Sequence, residues 1–186
     1  MGEPRIPLLS PEEARKRAEA AGVLPQMAEL SIFRVLLHQP PVAKAVQDLI
    51  VTLLFRGTLD GRLRELLIMR LGWATGSVYE WTQHWRVATE MDIAPEDLLG
   101  VRDWRSSDRF DARDRAVLAA TDETLADGRI SDTTWQACCE HLPSEQERIE
   151  LVAAIGNWRM VSSLLRSLEV PLEDGVAAWP PDGRAP

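Results

Sequence analysis

The chain has 186 residues, 45% of them apolar, and a formal net charge of −8. That length suits one domain or two small ones, with apolar residues enough for a packed core. The acidic balance excludes nucleic acid as the default partner, and no apolar run reaches the roughly 18 residues of a membrane span.

Cys138 and Cys139 are the only cysteines and are adjacent. Neighbours bond each other only under strain, so no disulfide framework is expected and a reducing cytoplasm fits. The N-terminal residues lack a basic start followed by an apolar stretch, so no secretory signal is expected there.

Along the chain, residues 1–9 form a Pro-containing lead-in. Ser10-Pro11-Glu12-Glu13 is a capping box, predicting a helix to about Ala21 that Gly22 ends. A second helix is expected from Met27 to about Gln39, where Pro40-Pro41 break it. A third runs to about Phe55. Asp60 is the expected N-cap of a helix that Gly76 closes, and a further helix ends near Asp92. Pro95 to Leu99 allows one short helical turn. Residues 102–110 are polar and form the best candidate boundary between two halves. Asp111 caps a helix to about Asp127, and Ser131 another to about His141. Ser144 opens a long apolar helix to about Leu168. Residues 171–186 hold four prolines and two glycines.

No segment alternates with a period of two, so the fold is expected to be all-α, with about eight or nine helices. The expected organisation is a lead-in with a capping helix over 1–26, a helical domain over 27–170 and a tail over 171–186. The helices after residue 111 carry wide apolar stripes, and Trp135, Trp158 and Leu165 need cover. A homo-oligomer is the expected source of it.

The chemistry gathers between Arg62 and Asp92. Glu65 interrupts the apolar run Leu63, Leu66, Leu67, Ile68, Met69, Leu71. On the next helix Ser77, Glu80 and His84 fall within roughly 60° of one another, with Trp81 beside them. A carboxylate one turn from an imidazole raises its pKa and orients it for acid–base work. The same i,i+4 spacing can hold a metal, but His38 and His141 have no ligand spacing to supply a third donor. An isolated pair would do no more than stabilise its helix by a few tenths of a kcal/mol.

The surroundings add to the pair. The run RLRELLIMRLGWATGSVYEWTQHWRVATEMDI resembles the carboxymuconolactone decarboxylase-like family, which shares its fold with alkyl hydroperoxidase D. The later segments Asp114–Leu118, Thr121–Leu125, Gly128–Trp135, Ile155–Trp158 and Leu168–Leu172 resemble the family's long-chain members. The resemblance spans roughly residues 28–173. It implies an alkyl hydroperoxidase D-like helical bundle that assembles as a dimer, trimer or hexamer.

Peroxidase-like members place Cys-x-x-Cys after a Glu and before a His. Glu65 and His84 match that Glu and His, while Ser77 and Glu80 stand at the two cysteine positions. A hydroxyl and a carboxylate form no disulfide and do not attack a peroxide as a thiolate does, so thiol peroxidase activity is expected to be absent. The lactone decarboxylases carry Glu-x-x-x-His, which Glu80 and His84 match, although those enzymes are shorter and differ around YEW.

The resemblance thus implies a cofactor-free acid–base enzyme acting on a small organic acid or lactone by decarboxylation, isomerisation or ring chemistry. His84 would move the proton, supported by Glu80, with Glu65 catalytic or paired with Arg64, Arg70 or Arg86. Ser77 reads equally as a helix N-cap or a substrate donor. Tyr79, Trp73 and Trp81 are the other expected substrate contacts. Trp158 stands where related sequences commonly carry Tyr. Arg70 and Arg86 are the candidates to hold a substrate carboxylate. No metal, nucleic acid or membrane partner is expected. The alternatives are an antioxidant protein and a non-catalytic binding or assembly protein.

Overall fold

The computed structural model describes residues 4–186. Among the described residues there are nine α-helices and no strand. They are α1 (Pro11–Ala21), α2 (Ser31–Leu36), α3 (Pro40–Phe55), α4 (Gly61–Thr75), α5 (Val78–Glu90), α6 (Pro95–Gly100), α7 (Ala112–Asp127), α8 (Asp132–His141) and α9 (Glu145–Ser167). The fold is all-α among the described residues. Two compact units share the chain: Met1–Arg56 with Ser163–Val176, and Gly57–Ser162 with Ala177–Pro186.

In the first unit, Ser10 accepts the Glu13 N–H and caps α1, and Gly22 closes the helix at φ 69. The helix expected from Met27 is divided. A 3-10 turn covers Met27–Glu29, Leu30 is extended, and α2 starts at Ser31. The cause is a remote carboxylate: Glu173 accepts the Ser31 N–H at 2.8 Å and supplies a cap that the local sequence lacks. A surface cleft of about 450 Å³ lies against Arg15, Ala18, Glu19, Val23 and Pro25.

The second unit is built on α4. Asp60 caps the helix by accepting the Leu63 N–H, and Gly76 ends it in the left-handed region at φ 66. Every residue from Leu63 to Trp73 is buried except Arg70. A helix apolar nearly all round must be covered on every side, and α4 packs against α5 and α7, with α8 on α7. Gly72 permits the close approach of α5. A Cβ there would stand 3.0 Å from the Trp81 nitrogen and 3.3 Å from Glu80 Cβ.

The polar segment 102–110 is not a boundary. Trp104 and Phe110 belong to the hydrophobic core around Leu66, Met69 and Trp81. Arg115 ties the segment down by donating to the carbonyls of Trp104, Arg105, Ser107 and Phe110. Trp104 and Phe110 turn in, whereas Asp103, Arg105, Asp108 and Arg109 are exposed. Trp158 and Leu165 are buried, whereas Trp135 is 40% exposed. No described helix is long and apolar enough to cross a membrane.

Candidate active site

The site lies in the second unit, where α4, α5 and α9 contribute one side chain each to a hydrogen-bonded row. Glu65 of α4 is fully buried, and its Oε2 lies 2.8 Å from His84 Nδ1. Arg64 Nε donates to the other oxygen, Oε1, at 3.1 Å. On the far side of the imidazole, the Trp158 indole N–H donates to His84 Nε2 at 3.0 Å. The two rings meet edge-on at 80°. An indole nitrogen can only donate, so Nε2 presents its lone pair and the imidazole proton sits on Nδ1, facing Glu65.

Both ring nitrogens are therefore taken, and neither partner is Glu80. Glu65, not the acid one turn back on the same helix, orients the imidazole. Glu80 acts on it through charge. Its carboxyl is 3% exposed, and its Oε2 has no hydrogen-bond partner. Burial pushes the Glu80 carboxyl up to about 7, with His84 pulling it down and Glu65 pushing it further up. Glu65 is shifted the other way. Burial opposes its charge, but His84 and then Arg64 outweigh that and hold it below the ordinary carboxylate range. Burial also works against a charged His84, yet Glu65 and then Glu80 outweigh it and raise the imidazole. Two acids facing one histidine are thus driven apart in pKa by their surroundings.

Ser77 occupies the N-cap position of α5 but makes no side-chain cap bond. Its Oγ is buried without a partner, like Glu80 Oε2. Tyr79 is buried on the first turn of α5. Trp73 and Trp81 lie elsewhere, in a cluster with Trp85 and Trp179. Arg102 stacks over both at 4.6 and 4.8 Å. The Trp81 N–H donates to the Pro180 carbonyl at 2.8 Å. Arg70 is held by Asp122 at 2.6 and 3.1 Å and also donates to the Val101 and Arg102 carbonyls. Arg86 is exposed. Among the described residues no three His, Cys, Asp or Glu side chains converge as metal ligands.

Residues 40–123 match the model of the carboxymuconolactone decarboxylase family. Over those residues the chain is similar to that family. A search of curated proteins found no match. Solved structures of the same fold include an alkylhydroperoxidase AhpD core protein, peroxidase-related, from Ralstonia eutropha JMP134. It is 17% identical, covers 94% of each chain and has a TM-score of 0.75. A peroxidase-related protein from Silicibacter sp. TM1040 is 13% identical over 95% of this chain and 92% of its own, with a TM-score of 0.72. The debrominase Bmp8, solved with 2,3,4-tribromopyrrole, is 18% identical over 88% of this chain and 85% of its own, with a TM-score of 0.69.

Neither cysteine takes part in the hydrogen bonds of the row. Cys138 is buried on α8 against the Ala116 carbonyl, and burial pushes its thiol up to about 11. The sequence named Glu65, Glu80 and His84, but not the donor role of Trp158. Nothing local marks it, because Trp158 and His84 are 74 residues apart. Asn157, next to it, was also missed. Both of its side-chain polar atoms are buried without partners, and the only sequence signal is a polar residue inside the apolar run of α9.

Proposed function

We propose that the protein is a cofactor-free acid–base enzyme that moves a proton on a small carbonyl compound, with a lactone as the best-supported class. The observation that carries this reading is the Glu65–His84 pair at 2.8 Å beside a buried Glu80 with a pKa raised to about 7. An imidazole base and a buried acid whose carboxyl is pushed up to about 7 can serve one proton transfer in each direction.

In this mechanism His84 acts through Nε2, because Nδ1 is committed to Glu65. It takes a proton from the carbon next to the carbonyl, and the electron pair moves into the carbonyl, forming an enolate. Protonated Glu80 and the Ser77 hydroxyl are donors for that oxygen. Return of the proton to a different carbon completes an isomerisation, with no electrons gained or lost. Decarboxylation of a free acid needs a cation for the substrate carboxylate. Arg70 is already engaged by Asp122, and Arg64 by Glu65, which favours an uncharged lactone over a carboxylate.

A non-catalytic binding protein is the second reading. It is favoured by the Trp158 hydrogen bond, which leaves neither nitrogen of His84 vacant. Deuterium exchange decides between them. A panel of unsaturated lactones and ketones is incubated with the protein in D₂O and followed by NMR. Exchange next to the carbonyl that falls at least a hundredfold in His84→Ala supports the enzyme. No exchange with any member, or exchange indifferent to His84, leaves the binding reading.

A further inference from the structure

We propose that Trp158 is a positioning residue whose indole N–H favours the neutral form of His84, and that the indole must leave Nε2 whenever that nitrogen carries a proton. The proposal rests on the reading of His84 as the proton-exchanging group, but its test needs no substrate.

The geometry leaves the imidazole one arrangement. Nδ1 points at the ionised carboxylate of Glu65 at 2.8 Å, which can only accept. Nε2 points at the Trp158 nitrogen at 3.0 Å, which can only donate. A proton added to Nε2 would set two N–H groups head to head with no acceptor between them. The imidazolium and the docked indole therefore exclude each other. The groups facing His84 are Glu65 and Arg64 from α4 and Glu80 from α5, while α9 contributes the uncharged indole. Glu65 and Glu80 favour the imidazolium, and Arg64 and burial oppose it. Trp158 opposes it too, through a single hydrogen bond that exists only with the neutral ring. At 2% exposure the indole is packed in place, so moving it requires displacing neighbours as well as breaking the bond. Each proton cycle at Nε2 is thereby coupled to a movement of α9's side chain. A residue in this position that cannot donate would leave a more basic histidine.

The test is an NMR titration of protein labelled with ¹⁵N in its histidine and tryptophan rings. The three histidines are distinguished with His38→Gln and His141→Gln. Trp158→Phe keeps an aromatic ring and removes the donor. It is expected to lower the acid dissociation constant of His84 about fivefold, the worth of one net hydrogen bond. In the unaltered protein the Trp158 indole resonance, identified by its through-space contact to the His84 ring, is expected to shift with the same midpoint as His84. An unchanged His84 midpoint in a folded Trp158→Phe protein overturns the proposal. So does an indole resonance, identified by its through-space contact to the His84 ring, that stays constant while His84 titrates, a result that decides the matter even where the variant does not fold. Whether His84 exchanges protons with a substrate is answered separately by the deuterium experiment, so the two ideas fail independently.

Discussion

Glu65 and His84 are 19 residues apart in the chain and meet at 2.8 Å across the contact between α4 and α5. Glu65 Oε2 and His84 Nδ1 satisfy each other there. Glu65 is completely buried and shared between Arg64 and His84, so it is at once a structural counter-charge and the group that aims the imidazole.

Glu65→Gln keeps the shape and removes the charge. The His84 midpoint is expected to fall, and stability is expected to drop by about 3 kcal/mol because Arg64 and His84 keep their burial without a counter-charge. The sign of the pH dependence follows from the two shifts. His84, raised from 6.5, contributes stability that is complete below that value and is lost as pH rises through the folded value. Glu65, lowered from 4.5, contributes stability present above that value and lost as pH falls through the folded one. The loss in the variant is therefore expected to be largest between pH 4.5 and 6.5, as read by denaturant unfolding at several pH values.

Glu80→Gln is expected to do the opposite to stability. The folded protein keeps the Glu80 proton up to about pH 7, whereas the unfolded chain releases it near 4.5. Folded protein binds more protons in that interval, so the contribution of Glu80 falls as pH rises through it. At about 1.4 kcal/mol per pH unit, the ionised, buried carboxylate costs roughly 3 kcal/mol above neutrality. The amide removes that cost. Little change at pH 4 and a gain at pH 8 are expected from urea unfolding. An equal change at both values would mean that Glu80 is not a buried acid.

Gly72→Ala tests the helix contact that sets the row. The added Cβ would meet backbone of α5 at 3.0 Å, so α5 rather than a flexible side chain must give way. Overpacking of this kind costs about 1–3 kcal/mol. The His84 midpoint should move with the loss of Tm, because the same displacement opens the Glu65–His84 bond.

Removal of residues 177–186 tests the end of the chain. Trp179 packs on Trp73 and Trp81, Pro180 accepts the Trp81 N–H, and Asp182 meets Arg102 at 2.7 and 2.9 Å. Losing the aromatic contacts and leaving one buried N–H unsatisfied is expected to cost about 2–4 kcal/mol. The Arg102–Asp182 pair contributes little, so 0.5 M salt should change the effect only slightly. Differential scanning calorimetry reads both results.

Much of the fold was legible in local sequence. Ser10, Asp60, Asp111 and Ser131 each accept the N–H three residues on, as capping residues do. Gly22, Gly76 and Gly128 close their helices in the left-handed region. Where local reasoning misplaced an element, a distant group had intervened. Glu173 caps α2, and Arg115 holds segment 102–110 against the core.

The candidate site divides along the same line. The sequence by itself determined that Ser77, Glu80 and His84 share a stripe of one helix, because that depends only on spacing along α5. It also determined that Glu65 is an acid among leucines. Only the tertiary structure decided that Glu65 rather than Glu80 binds the imidazole, that Trp158 closes its other side, and that Trp73 and Trp81 turn to Trp179. Those pairings depend on how α4, α5 and α9 cross and on where the end of the chain lies. The crossing is set by packing at places such as Gly72, where the absence of one carbon lets two helices meet.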